Sequence, residues 1–203
     1  MKILNQSQIR EADRQTIRME PIASIELMER AAKACFHWIC QRYDTDQKFA
    51  LLCGTGNNGG DGLAIYRMLR EKKYPCRLFE YLLGQKPGID YTQNRKRIKV
   101  EDIKKLNPED LSSLPKEIIL IDALLGTGLN RPTEGPLKKI IQALNARPIQ
   151  YCPSTSPPGY FRISIPTIPP KGLFRQRIPS VFKCLNCPSF CPNAERKSVI
   201  FIC

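Results

Sequence analysis

The chain has 203 residues, of which 42% are hydrophobic and 25% are charged. This length accommodates one α/β domain with a real core, and the composition is that of a folded globular protein rather than a disordered or fibrous one. No run of about 18 apolar residues is present, and the N-terminus lacks the apolar segment of a signal peptide. We therefore expect a cytoplasmic protein with no membrane partner.

Charge and composition divide the chain near Pro148. The net charge is +13, and residues 149–203 contribute +6 of it with a single acid, Glu195. The same 55 residues hold five of the nine cysteines and nine of the 17 prolines. A basic chain invites a nucleic-acid interpretation, but residues 1–148 carry mixed charges, so we do not expect nucleic acid as a partner. We predict a folded domain over 1–148 and a poorly ordered tail over 149–203.

Apolar spacing predicts four helices in the first domain. Residues 7–17 form one helix, with a stripe expected to be buried made of Ile9, Ala12 and Ile17. Ser24 is predicted to cap a second helix, whose apolar face carries Leu27, Ala31, Cys35 and Trp38. Further helices are predicted over residues 63–69 and 137–144.

Three apolar runs predict strands over residues 48–53, 77–83 and 117–122. Strands that are apolar throughout and alternate with helices indicate a parallel sheet covered on both faces. In such folds, ligands bind where loops leave the carboxyl ends of the strands. The predicted fold class is therefore α/β.

A glycine-rich segment, Gly-Thr-Gly-Asn-Asn-Gly-Gly-Asp-Gly, occupies residues 54–62 between a predicted strand and a predicted helix. Glycines let the backbone approach a ligand closely, and the start of a helix presents free N–H groups to a phosphate. The alternative is a tight turn in which Asn and Asp are only turn formers. No Gly-Lys-Ser/Thr follows, so the segment is not a P-loop.

A second unusual loop, residues 122–132, follows the third predicted strand. Asp122 stands where a carboxylate binds a ribose hydroxyl or a hard cation. The turn that follows is a second candidate for phosphate contact, with Arg131 as a charged donor. Taken alone, Asp122 is equally well a helix cap. Two such loops at one sheet edge favour a shared nucleotide site.

Two other candidates for chemistry have structural alternatives. Cys53 ends the first predicted strand and is either a nucleophile or, more commonly for a Cys in such a place, a small buried hydrophobe. His37 is the single histidine, so neither a Ser-His-Asp triad nor a multi-histidine metal site can be built.

Three segments together resemble the YjeF N-terminal domain family, the NAD(P)H-hydrate epimerases. They are Ser-Ile-Glu-Leu-Met-Glu-Arg-Ala at 24–31, Asn-Asn-Gly-Gly-Asp-Gly-Leu at 57–63, and Asp-Ala-Leu-Leu-Gly-Thr-Gly-Leu-Asn-Arg-Pro at 122–132. The resemblance implies a Rossmann-like three-layer αβα sandwich with a mainly parallel sheet, here incomplete at its C-terminal strands. It also implies an isomerase that interconverts the R and S forms of hydrated NADH and NADPH at C6 of the nicotinamide ring.

The resemblance further implies which residues form the site. Asn58 and Asp122 would hold a potassium ion. The residues expected to contact the substrate are Asn57, Asn58, Gly59, Gly60, Asp61, Gly126, Thr127, Gly128, Leu129, Asn130, Arg131 and Pro132.

The tail departs from this family. Members continue with an S-I-D-I-P-S-G-type motif, whose Asp contacts the ring end of the substrate and whose Ser completes the potassium site, but residues 151–160 read Tyr-Cys-Pro-Ser-Thr-Ser-Pro-Pro-Gly-Tyr. When the third base of each codon is read with the first two bases of the next, residues 153–160 can spell V-D-I-P-S-G-L. Residues 181–193 can likewise spell a later family segment. We therefore hypothesise a frameshifted tail that lacks the catalytic Asp, and expect little or no epimerase activity.

Other interpretations stay open from the sequence. The cysteines at 184, 187 and 191 invite a zinc site, which the frameshift hypothesis disfavours. The domain is alternatively a non-catalytic nucleotide- or RNA-binding module of the same fold, or the N-terminal remnant of a bifunctional epimerase and dehydratase. A homodimer is also compatible with the sequence.

Overall fold

The computed structural model describes residues 6–84, 86–126, 133–146 and 162–163, and every structural statement below refers to these residues. Helices and strands alternate after the first two helices. In chain order the elements are α1 Gln6–Met19, α2 Ser24–Cys40, β1 Phe49–Cys53, α3 Asn57–Glu71, β2 Cys76–Glu80, α4 Ile89–Lys96, a 3₁₀ turn Val100–Asp102, β3 Ile103–Lys105, α5 Pro108–Ser112, β4 Ile119–Ala123, α6 Gly135–Ala146 and β5 Arg162–Ile163.

The strands form one parallel sheet in the order β3-β2-β1-β4-β5. Strand β1 lies between β2 and β4, so that Cys53 is level with Glu80 on one side and with Ala123 on the other. The carboxyl ends of these three strands therefore meet at one edge. This arrangement confirms the predicted α/β class with a parallel sheet.

Two apolar layers cover the two faces of the sheet. The first packs α2, α3 and α4 against side chains such as Phe49, Leu51 and Ile121. The second packs α5 and α6 against the alternate residues, such as Leu52 and Leu120. Side chains of successive strand residues point to opposite faces, so a strand buried on both faces reads as a continuous apolar run. The result is the expected three-layer αβα sandwich.

The first two helices differ in detail from the prediction. In α1, Ala12 is exposed and Ile17 is half-buried, so a buried stripe through Ala12 is wrong. The side chain of Ile9 is outside the described set. In α2 the buried face consists of Met28, Ala32, Cys35, Phe36 and Ile39, one residue further along than the predicted stripe except at Cys35. The buried face differs from the predicted stripe because it is the face of α2 that packs against α3.

The start of α2 is also different from the prediction. Its N-cap is Ala23, whose backbone N–H donates to the carboxylate of Glu26 at 2.8 Å. Ser24 is the first helical residue, and its hydroxyl donates instead to Asp90 at 2.6 Å. A tertiary partner has thus replaced the local capping role that the sequence predicts for Ser24.

Strand β2 ends at Glu80, three residues before the predicted limit of 83. The N–H of Tyr81 still donates to Cys53 O at 2.8 Å, and the chain then turns so that the N–H of Gly88 reaches Thr55 O at 3.0 Å. The short elements α4, β3 and α5 were not predicted, because none of them has a periodic apolar pattern. None of the helices in the described ranges combines the length and apolar character needed to cross a membrane.

The tail contributes β5, a strand of two residues. Arg162 and Ile163 pair in parallel with Leu120 and Ile121, so this stretch of β4 has a neighbour on its outer side. Residues 147–161 and 164–203 lie outside the described set, and the predicted incompleteness of the later strands stays a prediction.

Candidate functional site

The predicted glycine-rich loop is mostly helical. Only residues 54–56 form the turn after β1, and α3 begins at Asn57 with Gly56 as its N-cap. The residues predicted to contact ligand, from Asn57 to Asp61, therefore occupy the first turns of α3, which corrects the prediction that a helix begins at Leu63. The helix was not predicted because this stretch contains three glycines. Each glycine in a helix interior destabilises the helix by up to about 1 kcal/mol relative to Ala.

The glycines are there because the backbone is too close to its surroundings for a side chain. A Cβ at Gly59 would lie 1.7 Å from the carbonyl oxygen of Gly54, and one at Gly62 would lie 2.7 Å from the Sγ of Cys53. A Cβ at Gly60 would meet the Sδ of Met28 at 2.8 Å. Absence of side chains thus lets the start of α3 sit directly against the ends of β1 and β4 and against α2.

The two predicted loops meet at Asn58. Its Nδ2 donates to the carbonyl oxygen of Leu125 at 3.3 Å, and a Cβ at Gly126 would lie 3.4 Å from the Asn58 Cβ. Asn58 is only 4% exposed, and its Oδ1 has no hydrogen-bond partner within the described part of the chain. The structure therefore brings together the start of α3 and the loop after β4, with one buried acceptor left over.

Asp122 is the second-last residue of β4 and is 7% exposed. Its Oδ1 accepts the backbone N–H of Leu124 at 3.1 Å, which fixes the turn that leaves the strand. Asp122 thus lies at the edge where the sequence predicts a cation ligand. No group of three or more His, Cys, Asp or Glu side chains in the described ranges is arranged to hold a metal ion.

Asp61 is the most deeply buried carboxyl group at this edge. It is 1% exposed, and its Oδ2 has no hydrogen-bond partner among the described residues. Burial raises the pKa of Asp61 well above its usual range, and the negative charges of Asp13 on α1 and Asp90 on α4 raise it further. Asp61 therefore stays protonated at pH values where an exposed Asp is charged.

Polar side chains of α4 and β2 form a hydrogen-bonded network beside α3. Asn94 on α4 donates to the carbonyl oxygen of Gly60 at 3.4 Å. Glu80, at the end of β2, accepts hydrogen bonds through the same Oε1 from the Tyr91 hydroxyl and from Arg95 Nε, the latter at 2.9 Å. Burial, followed by the hydrogen bond to Glu80, raises the pKa of Tyr91. This network was not predicted, although the Pro-Gly-Ile-Asp at 87–90 carries the Pro-Gly and first-turn acid of a helix start.

Cys53 has the environment of a buried hydrophobe and not of a nucleophile. Its side chain is fully buried, and burial, followed by the negative charge of Glu80, raises the pKa of the thiol. The thiolate is the nucleophilic form, so a raised pKa disfavours this role.

Several predicted positions lie outside the described residues. Of the positions in the second loop that are predicted to contact the substrate, Gly126 lies among the described residues and is half-buried. The positions outside the described residues are Thr127, Gly128, Leu129, Asn130, Arg131 and Pro132. The segment at 151–160 and the tail cysteines also lie outside, so the predictions about them stay untested.

The site is a buried edge of a parallel sheet, with a glycine-rich helix start on one side and a second loop on the other, which is the place where α/β domains commonly bind nucleotides. Comparison with known proteins agrees with the resemblance of the motifs: the family described as YjeF-related protein N-terminus matches residues 24–159. The chain belongs to this family.

Relatives in this family carry names that refer to NAD(P)H hydrate. The NAD(P)H-hydrate epimerase of Oenococcus oeni is 33% identical over 165 residues, which cover 77% of this chain and 74% of that protein. The bifunctional NAD(P)H-hydrate repair enzyme Nnr of Dictyoglomus turgidum is 31% identical over 152 residues, covering 71% of this chain and 29% of that protein. The chain thus spans less than a third of the bifunctional enzyme and about three quarters of the epimerase.

A solved structure has the same fold. The yeast protein ynu0 aligns with a TM-score of 0.60 at 22% identity, covering 72% of this chain and 66% of that one. At this identity the similarity supports the three-layer architecture, and the chemistry depends on the residues of the site.

Proposed function

We propose that this chain binds hydrated NADH or NADPH at the edge where β1 and β4 end, and interconverts the R and S forms at C6 of the ring. The observation that carries the proposal is the junction at Asn58, where the glycine-lined start of α3 meets Leu125 and Gly126. The names of the relatives supply the reaction. The first turns of α3 supply backbone N–H groups for the phosphates of the nucleotide.

A potassium ion fits the residues at this edge. Potassium is a hard cation that binds oxygen atoms, and a buried amide oxygen without a donor is an atom that such a cation satisfies. Asn58 Oδ1 is such an atom, and the Asp122 side chain adds carboxylate oxygens at the same edge. When bound, the ion would supply positive charge that orients the oxygens of the ligand.

The rate in this chain is expected to be low. The family's S-I-D-I-P-S-G-type motif, with its Asp at the ring end, has no counterpart at residues 151–160. We propose that a frameshift has replaced it, and sequencing the gene across the codons for residues 147–151 tests this origin. An intact reading frame without the shifted motif would refute it. The cytoplasmic location and the homodimer stay predictions.

The binding proposal is tested by titrating the full chain with ADP-ribose and with NADPH hydrate, in potassium and in lithium buffers. We expect binding that is stronger in potassium, and slow interconversion of R and S forms by chromatography. Asn58→Leu removes the amide oxygen, so the potassium dependence should disappear and affinity should fall about tenfold. Asn145→Leu, at an exposed position on α6, is the matched control and should leave both unchanged.

Two outcomes would contradict the proposal. Absence of nucleotide binding in either buffer would refute it directly. Salt-sensitive RNA binding without nucleotide binding would favour the alternative of a non-catalytic module.

A further inference from the structure

Two large apolar side chains are exposed at the sheet edge that the proposed function uses. Leu82 follows β2 and is 62% exposed, and Ile89, the first residue of α4, is 77% exposed. Large apolar side chains are normally buried, and apolar residues grouped on a surface with polar neighbours are typical of a binding site. The packing of the chain between β2 and α4 explains where these two side chains lie.

The alternation of side chains along β2 continues beyond its last residue. Leu78 and Glu80 face the layer that contains α3 and α4. Tyr81 and Leu83 pack against the opposite layer, which contains α5 and α6. Because successive side chains of an extended chain point to opposite faces, Leu82 lies on the side of α3 and α4, one step beyond Glu80. Ile89 begins α4 and therefore belongs to the same side.

Backbone hydrogen bonds hold both ends of this connection against the turn after β1. The N–H of Tyr81 donates to Cys53 O at 2.8 Å, and the N–H of Gly88 donates to Thr55 O at 3.0 Å. The two acceptor residues are separated by one residue, so their Cα atoms lie at most about 7 Å apart. The two exposed apolar residues directly follow the two donors along the chain. They are therefore held close together as one apolar patch.

This apolar patch adjoins the first turn of α3. A Cβ at Gly88 would lie 3.1 Å from the Oδ1 and 3.9 Å from the backbone N of Asn57, the first residue of α3. The proposed function assigns the N–H groups of this turn to the phosphates, and a dinucleotide has one nucleoside on each side of its phosphates. The β4 side presents the polar atoms of Asn58 and Asp122, which suit the hydroxyl and carboxamide of the hydrated ring. The β2 side presents the apolar patch, which suits the flat adenine base.

We propose that Leu82 and Ile89 form the adenine subsite of this nucleotide site, an inference that rests on the proposed function. Aliphatic side chains that cover an aromatic base remove apolar surface from water, and ligand sites are lined largely by such side chains. Both side chains are hydrocarbon, so they take no part in the hydrogen-bonded network around Glu80. The subsite contributes affinity for the adenosine half of the ligand and has no part in the chemistry at C6.

The experiment compares ADP-ribose with hydrated reduced nicotinamide mononucleotide, which lacks the adenosine half. Dissociation constants are measured for the full 203-residue chain and for the double variant Leu82→Ser, Ile89→Ser. Serine removes the apolar contact, so the Kd of ADP-ribose should rise about tenfold, and that of the mononucleotide should stay within about twofold. Each single variant should raise the Kd of ADP-ribose by about threefold.

Val100→Ser is the matched control. Val100 is 71% exposed and precedes β3, so it lies at the amino ends of the strands, the opposite edge of the sheet. This variant should leave the affinity for both ligands unchanged. The three substituted side chains are all largely exposed, so thermal unfolding should show that every variant keeps its fold.

The outcomes separate this inference from the proposed function. If the parent binds ADP-ribose and the double variant binds it as tightly, the patch is not the adenine subsite, and the proposed function stands. If the double variant loses affinity equally for both ligands, the connection supports the whole site and the inference is wrong. A patch that joins two copies of the chain would give a dimer in the parent and a monomer in the double variant by light scattering, with unchanged affinity for ADP-ribose, and this result also overturns the inference. If the parent binds neither ligand, the proposed function fails and the subsite fails with it.

Discussion

The two sides of the start of α3 differ in how completely their polar atoms are satisfied. On the side of α4, Asn94 reaches the Gly60 carbonyl, and Glu80 binds both Tyr91 and Arg95. On the first turns of α3 itself, Asn58 Oδ1 and Asp61 Oδ2 are buried without partners among the described residues. The start of α3 thus has a structural side, toward Glu80 and Asn94, and an unsatisfied side, by which we mean these two oxygens.

This difference indicates which side of α3 is available for a ligand. A buried polar group left without a partner costs about 1–3 kcal/mol, so a fold normally eliminates such groups. Two of them within one turn are explained if a bound molecule or ion satisfies them. The partnered side, in contrast, should affect stability and leave binding unchanged.

The largest expected effect is that of Gly59→Ala, which tests the close contact between the two sides. The added Cβ would lie 1.7 Å from Gly54 O, a backbone atom that can move only if α3 shifts from the sheet. We expect a loss of at least about 3 kcal/mol in the free energy of unfolding, measured by urea denaturation. Gly56→Ala, with no atom within 4 Å of its Cβ, is the control and should cost less than about 1 kcal/mol. Equal stability of the two variants would contradict the packing described for α3.

Glu80→Ala is expected to have the next largest effect, because it tests the partnered side. The Glu80 side chain is 12% exposed and holds two partners, Tyr91 and Arg95. We expect a loss of about 2 kcal/mol in the free energy of unfolding. Affinity for ADP-ribose should change less than threefold.

The control for this variant is Glu71→Ala. Glu71 pairs with Arg67 at 3.2 Å, but its side chain is 63% exposed, so we expect a cost below about 1 kcal/mol. A large loss of nucleotide affinity in Glu80→Ala would contradict the prediction that the partnered side of α3 affects stability and not binding.

Apolar runs and loop chemistry were sufficient to predict the centre of the fold. Strands β1 and β4 were predicted to within two residues at each end, because all five positions of each are buried and all but Asp122 are apolar. The meeting of the two loops also followed from the sequence, since neighbouring parallel strands end at one edge.

Tertiary contacts that no local pattern encodes could not be predicted. Ser24 has the residue type of a helix cap, but its partner Asp90 is 66 positions away along the chain. The helix that begins at Asn57 was not predicted, because its glycines reduce helix propensity. Close packing requires these glycines, and this packing exists only once the sheet has assembled. Burial of Asp61 has the same origin, since Asp is one of the residues that is rarely buried.

The smallest expected effect is the pH dependence that Asp61 gives to stability, which sharpens the description of the unsatisfied side. Burial, and then Asp13 and Asp90, raise the pKa of Asp61 in the folded state, whereas an unfolded Asp has a pKa of about 3.9. Between these two values the folded state holds a proton that the unfolded state has released. The free energy of unfolding therefore falls as pH rises through this window, by at most about 1.4 kcal/mol per pH unit from this group.

Asp61→Asn removes the titrating group, so the difference in melting temperature between variant and parent should grow in favour of the variant as pH rises from 5 to 8. Asp46→Asn, at an exposed position before β1, should show no such growth. Saturating ADP-ribose should stabilise the parent more than Asp61→Asn if the ligand contacts the Asp61 carboxyl. If the difference in melting temperature between Asp61→Asn and the parent does not change with pH, Asp61 is charged in the folded state. The amide oxygen of Asn58 would then be the one atom left on the unsatisfied side.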